Sequence, residues 1–324
     1  MLSSTSVNGG LFRHHVAPNG AAYAVTALLI VLFVAGASVS DRFATVPNLL
    51  NVHQQATGLA LVALGQTLAI LTGGIDLSVG SLISVTATLT SGLADNPYGG
   101  WPTAIAAVLL LSLVVGLVNG WLVLWLRVHP LIITLGMGAV LQGAILYYST
   151  GPAGNVPDGF DSLAYGRYAG IPVTATIVVL LYLAVSFFMR HLKLGRYVYM
   201  VGDDEYAATL SGLPRSRVIL FVYMFSAVCA GLTGIYLAAQ FGSGQPYLGA
   251  NYTLASITPV VVGGTVLSGG RGGVIGTLLG VYLLSLLNNL INFVGIPSHY
   301  QLIVQGVAII VAVSVNLQRK RVAA

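Results

Sequence analysis

A helix needs about 20 consecutive apolar residues to cross the hydrocarbon core of a bilayer, and this chain offers such a charge-poor run about ten times. Between turn signals the runs fall at 21–39, 48–72, 77–94, 103–126, 130–150, 171–190, 218–241, 251–267, 273–292 and 300–316. This spacing predicts an all-α integral membrane protein. Composition agrees: 6% of the residues are charged and 56% hydrophobic, whereas a soluble domain carries about 25% charged residues to clothe its surface.

Lysine and arginine accumulate on the cytoplasmic side of membrane proteins. With an even number of spans and both termini inside, Arg13, Arg127, Arg190, Lys193, Arg196, Arg215, Arg217, Arg271, Arg319, Lys320 and Arg321 are cytoplasmic, and only Arg42 and Arg167 lie outside. The opposite orientation, or the loss of one span, scatters these charges over both faces. Arg13, the apolar stretch after it and Ala35-Gly36-Ala37 imitate a cleavable signal. A retained first helix is expected, because cleavage leaves an odd number of spans and no secreted domain behind it. Residues 1–20 then form a cytoplasmic tail, 21–317 the membrane domain and 318–324 a basic tail. The net charge of +5 belongs to loops and not to a nucleic-acid surface. The single cysteine, Cys229, sits in an apolar run as a packed residue and excludes an internal disulfide.

The chain repeats itself. Gly73-Gly74-Ile75-Asp76-Leu77-Ser78-Val79-Gly80 matches Gly263-Gly264-Thr265-Val266-Leu267-Ser268-Gly269-Gly270 as GGxxLSxG, at an offset of 190 residues. At that offset Gln55 falls on Gln245, Ala60 on Ala250 and Leu64 on Leu254. Two related halves, about 48–190 and 218–316, are expected, joined by a segment at 191–217. Repeats with Gly-interrupted hydrophobic segments are characteristic of transporters, where backbone exposed by a broken helix lines a cavity or meets protein. The stripes Gly272, Gly276, Gly280 and Gly116, Gly120 are read as close helix packing.

Asp76 is the acidic residue inside a long apolar stretch, where an ionised side chain costs about 2.5–3.5 kcal/mol at a helix centre. It is expected either to cap the amides that open the following helix or to pair with Arg271 in the matching turn. The stretch Leu192–Val218 is the longest polar one between spans. In it Ala207, Ala208, Leu210 and Leu213 predict a short amphipathic helix that follows Asp203-Asp204-Glu205 and stops at Gly212 and Pro214. A soluble partner docking there is expected.

Six histidines are scattered without metal-ligand spacing, and no HExxH, GxSxG or Walker glycine-lysine motif occurs. The chain is therefore not expected to be an enzyme or to bind ATP, a metal or another cofactor. Gln66, Asn119, Asn288, Asn292 and Phe293 are candidate pathway-lining residues, since a neutral hydroxyl-rich solute calls for amides and aromatic faces rather than fixed charge. An ion-coupled secondary transporter is the alternative, with Asp76 as its carboxylate.

The segment ILTGGIDLSVGSLISVTA at 70–87 resembles the signature of the monosaccharide ABC importer permeases of the ribose-transporter type. VVVGGTVLSGGRGGVIGTLLG at 260–280 is similar to that family's second glycine-rich segment, and GRYVYMVGDDEYAATLSGL at 195–213 to its coupling segment. The resemblance runs from about Asn48 to the basic tail. It implies a dimeric permease in the bacterial inner membrane, made with a second copy or a paralogue. It also implies a separate ATPase subunit holding ATP and Mg, and a periplasmic or lipid-anchored sugar-binding protein. Gly202, Asp203, Glu205, Ala207, Ala208, Ser211 and Gly212 would contact the ATPase, and the two glycine turns, with Asp76 and Arg271, would act in gating. The chain departs from the family in having Asp203 where an Asn is common.

Overall fold

The computed structural model describes residues 19–94, 100–296, 300, 303, 306 and 307. The expected span at 300–316 lies almost wholly outside the described residues, as do the basic tail and nearly all of the amino-terminal tail. In chain order the elements are α1 (Asn19–Val39), α2 (Val46–Leu71), α3 (Val79–Ala94), α4 (Gly100–Leu126), α5 (Pro130–Tyr148), α6 (Ser162–Tyr165), β1 (Arg167–Tyr168), β2 (Ile171–Pro172), α7 (Val173–His191), α8 (Lys193–Asp203), α9 (Glu205–Leu210), α10 (Arg215–Phe241), α11 (Tyr252–Ala255), α12 (Ile257–Val262) and α13 (Val274–Phe293). Among the described residues seven helices, α1, α2, α4, α5, α7, α10 and α13, are long and apolar enough to cross a membrane. β1 and β2 form a small antiparallel hairpin.

The bundle is built around α2 and α10. Both are largely buried within the protein, whereas α1, α5 and α7 turn most of their surface outward, as lipid-facing helices can. Small residues set the spacing. A Cβ at Gly116 would stand 2.6 Å from Met224 Cα, and one at Gly120 3.1 Å from Leu220 Cα, so α4 lies directly on α10. Gly276 and Gly280 likewise bring α13 onto the carbonyls of Gly263 and Pro259. Gly272, expected in that stripe, instead belongs to the turn before α13, where its φ of 136° favours glycine. Cys229 is a buried packing residue on α10, opposite Gly65.

Chain direction places the described cations at opposite ends of the bundle. Arg127, Arg190, Lys193, Arg196, Arg215, Arg217 and Arg271 lie at the end that carries α8 and α9, and Arg42 and Arg167 at the other.

The expected span at 251–267 is not a continuous helix. Residues 242–251 leave the end of α10 without helical structure and descend along α3, followed by the short α11 and α12. Gly244 lies against the backbone of Ala87 and Thr88, and Gly249 against Gly80. Irregular backbone at this depth is tolerated only when protein groups satisfy it, and α3 and α5 supply them. Ser91 Oγ accepts from Gly244 N at 2.8 Å, Ser84 Oγ accepts from Gly249 N at 2.9 Å, and Gln142 Nε2 donates to Pro246 O at 3.0 Å. Ser84 and Ser91 are seven residues apart, two helical turns, so both face the same descending chain. Two of the six hydroxyl side chains on α3 are used in this way.

Ser84→Ala leaves Gly249 N–H buried without its partner, at a cost of about 1–3 kcal/mol. The purified variant should melt several degrees below the wild type in detergent, whereas Ser38→Ala, at an exposed hydroxyl bonded to Ala35 O, should not.

Candidate functional site

Both glycine turns close a helix in the same way. At the end of α2, Gly73 has φ 77° and Gly74 N donates to Ala69 O at 3.0 Å. At the end of α12, Gly264 has φ 94° and Thr265 N donates to Val260 O at 3.1 Å. This is the left-handed helix stop that glycine makes easily. The backbone therefore equates Gly73 with Gly264, one residue away from the alignment of Gly73 on Gly263 given by the GGxxLSxG motif.

The two turns touch each other and the end of α8. Gly270 N donates to Leu71 O at 3.0 Å. A Cβ on Gly202 would overlap the Leu71 carbonyl oxygen, and one on Gly269 would fall 2.7 Å from both Gly202 O and Gly73 N. Gly270 in turn lies on Asp203. Three segments separated by more than 60 residues thus meet backbone to backbone, and the absence of side chains at the junction is what lets them do so.

The first turn is also clamped from the sides. Asp76 is fully buried. Its Oδ1 accepts from Ser78 N at 3.1 Å and Ser78 Oγ at 2.6 Å, and its Oδ2 accepts from Ser226 Oγ of α10 at 2.8 Å. Asn119 Nδ2 of α4 donates to Ser78 Oγ at 2.9 Å. From α5, Thr134 Oγ1 donates to Ile75 O at 3.0 Å and accepts from Leu77 N at 3.1 Å. Asp76 therefore braces the backbone entering α3, close to the expected cap. It does not pair with Arg271, which is exposed and makes no ion pair among the described residues. Hydroxyls already on α10 and in the turn satisfy the carboxyl group, and no cation is needed.

The polar segment after α7 is two helices. The first of them, the amphipathic α8, adds to the single expected helix and buries Gly195, Val198 and Val201, a spacing that carries the signal in the sequence. The acidic cluster straddles the break instead of preceding the helix. Asp203 ends α8, Asp204 Oδ1 caps α9 by accepting from Ala207 N at 2.9 Å, and Glu205 opens α9 and pairs with Arg215 at 2.7 Å. Ala208 is buried, while Ala207, Tyr206 and Leu210 are exposed. Ser211 and Gly212 end α9, with Gly212 at φ 73°.

The candidate lining residues do not converge. Gln66 and Asn119 lie toward the junction. Asn288, Asn292 and Phe293 lie at the far end of α13, where Asn289 and Asn48 exchange two 3.0 Å hydrogen bonds and Phe293 packs edge-on against Phe43. Eighteen residues of α2 between Asn48 and Gln66 correspond to about 27 Å of helix. Ser268, Arg271 and Gly263 belong to the second turn, and Gly80 opens α3 against Thr253. His53 joins α2 to α13 and α7 through Tyr282 Oη at 2.5 Å and Thr176 Oγ1 at 3.5 Å, a bridge that its isolation in the sequence conceals.

The family described as "Branched-chain amino acid transport system / permease component" matches residues 48–313. The ribose import permease protein RbsC of Escherichia coli (strain K12) is 38% identical over 297 residues, covering 90% of this chain and 92% of that protein. The D-allose transport system permease protein AlsC of the same strain is 31% identical, covering 89% of each. The autoinducer 2 import system permease protein LsrD of Escherichia coli (strain SMS-3-5 / SECEC) is also 31% identical, covering 92% and 93%. No solved structure matches the chain.

Asp76→Ala removes hydrogen bonds to a buried carboxyl group, worth about 1.5–3 kcal/mol each, and should lower the melting temperature more than Asp76→Asn. Arg271→Ala should leave it unchanged, and adding Arg271→Asp to Asp76→Arg should not restore the stability lost in Asp76→Arg.

Proposed function

We propose, on the premise that this chain belongs to the family of transport-system permease components, that it is the membrane-spanning subunit of an ATP-binding-cassette importer for a monosaccharide or similar neutral polyol. The likeness to a ribose import permease over 90% of the chain carries this reading. Transport, and not catalysis by this chain, is its task. ATP and Mg belong to a separate ATPase subunit, a second copy or paralogue completes the pathway, and an extracytoplasmic binding protein delivers the solute. The excess of Arg and Lys at the α8–α9 end supports placing that end in the cytoplasm of a bacterium, with the spans in its inner membrane and both termini inside.

The ATPase docks on α9, where Tyr206 and Leu210 present apolar surface (75% and 71% exposed) on a short helix outside the spans. The Glu205–Arg215 pair ties α9 to the base of α10, and α8 links it to the glycine junction. When ATP draws the two ATPase subunits together, α9 moves as a lever and Gly202 pushes on Leu71 and Gly270. Both turns then shift, and with them the helices they join, as a packed interface passing between two arrangements. Gln66 is the pathway residue this reading favours. It is fully buried with neither amide atom hydrogen-bonded, a state that costs about 1–3 kcal/mol and that a solute hydroxyl relieves.

Co-purification of an ATPase subunit followed by sugar-stimulated ATP hydrolysis tests the assignment. In that complex Ala207→Trp should cut stimulated hydrolysis and uptake at least tenfold without lowering the amount in the membrane; intact stimulation would sink the docking site. Gln66→Leu should keep or raise the melting temperature while uptake falls about tenfold.

A further inference from the structure

A cavity of about 1040 Å³ opens at the α8–α9 end of the bundle, between the α4–α5 link, the α9–α10 link and the first glycine turn. Its wall is cationic. Arg127, Arg215 and Arg217 face it with His129, against the single carboxylate of Glu205. That carboxylate is taken by Arg215 at 2.7 Å, and neither Arg127 nor Arg217 makes an ion pair among the described residues. Two long helices open at its edge, α5 at Pro130 and α10 at Arg215, and no side chain caps the latter. Helix N-termini carry partial positive charge and free N–H groups.

The floor of the cavity adds an independent sign of a missing ligand. Tyr223 is fully buried there, and its hydroxyl has no hydrogen-bond partner. Arg215 Nε is also buried without one. Arg127 has φ 54°, unusual for a residue with a side chain. Such backbone outliers tend to gather at ligand clamps.

The surroundings say which anion this is. Trp121 and Trp125 stack with ring centroids 5.0 Å apart and are largely exposed, on the last turns of α4 just before Arg127. Exposed tryptophan at the end of a membrane span marks headgroup depth, so the cationic mouth opens level with the lipid phosphates. We propose that this cavity binds the phosphate of an anionic phospholipid headgroup, between Arg127 and Arg217, with the Tyr223 hydroxyl as the deep donor. Basic pockets between membrane helices recognise lipid headgroups by this chemistry. A phosphate held there ties the α4–α5 link to the base of α10, where Glu205 anchors α9. Binding itself does not depend on the transport reading; only its effect on α9 does.

The test uses the purified full chain in detergent, with bound lipid counted by native mass spectrometry and stability followed by thermal melting. Phosphatidylglycerol should bind at least tenfold more tightly than phosphatidylcholine and raise the melting temperature. The Arg127→Gln, Arg217→Gln double variant should lose that preference; Arg217→Gln alone, at an exposed position, should reduce it severalfold and serves should the double variant fail to fold. Equal binding of the two lipids to the wild type, or an unchanged preference in a folded variant, would overturn the proposal. Protection by inorganic phosphate equal to that by phosphatidylglycerol would overturn the lipid source in favour of a soluble phosphate.

Discussion

In hydrocarbon there is no water to satisfy a peptide group, and each one left unpaired costs several kcal/mol. This chain nevertheless carries two glycine turns and a ten-residue irregular crossing among its membrane-spanning helices. Much of the polar interior answers that constraint. Ser84, Ser91 and Gln142 serve the irregular crossing, while Thr134 and Asp76 serve the first turn. Side chains that look in the sequence like a hydrophilic pathway are in good part structural donors and acceptors for backbone. Gln66 is a fully buried amide with a hydrogen bond at neither end.

Satisfying that backbone also decides how the molecule can move. A joint made of carbonyls, amides and glycines has little slack, since the Leu71 carbonyl fills the space a side chain at Gly202 would need. A rigid contact of this kind transmits displacement instead of absorbing it. The end of α8 thereby meets two turns that are distant from each other in sequence.

The sequence made the spans legible because the lipid solvent stamps its demand on every residue of a crossing helix, and eight of the ten expected spans coincide with α1, α2, α3, α4, α5, α7, α10 and α13. The crossing expected at 251–267 is helical only over α11 and α12, because part of the descent is made earlier, by the irregular residues 242–251, and hydropathy records burial without saying whether backbone is helical. Asp76 could be picked out as a site, but not its partner: Ser226 lies 150 residues away and is one hydroxyl among many on buried helices. The glycine motif located both turns, whereas their mutual contact, and that with Gly202, arises only from folding. Family resemblance pointed to the coupling segment, yet the division into α8 and α9 depends on Asp204 capping a new helix, a choice made by a single side chain.

The pairing of α3 with the chain after α10 bears on how the protein is made. α3 carries six serine and threonine residues. Its serines find Gly244 and Gly249 only after some 150 further residues have left the ribosome, at least several seconds of synthesis at about 5–20 residues per second. Until then Ser84 and Ser91 have the carbonyls of their own helix to bond. The packing of the amino-terminal half around α3 is therefore completed by a stretch of the carboxy-terminal half.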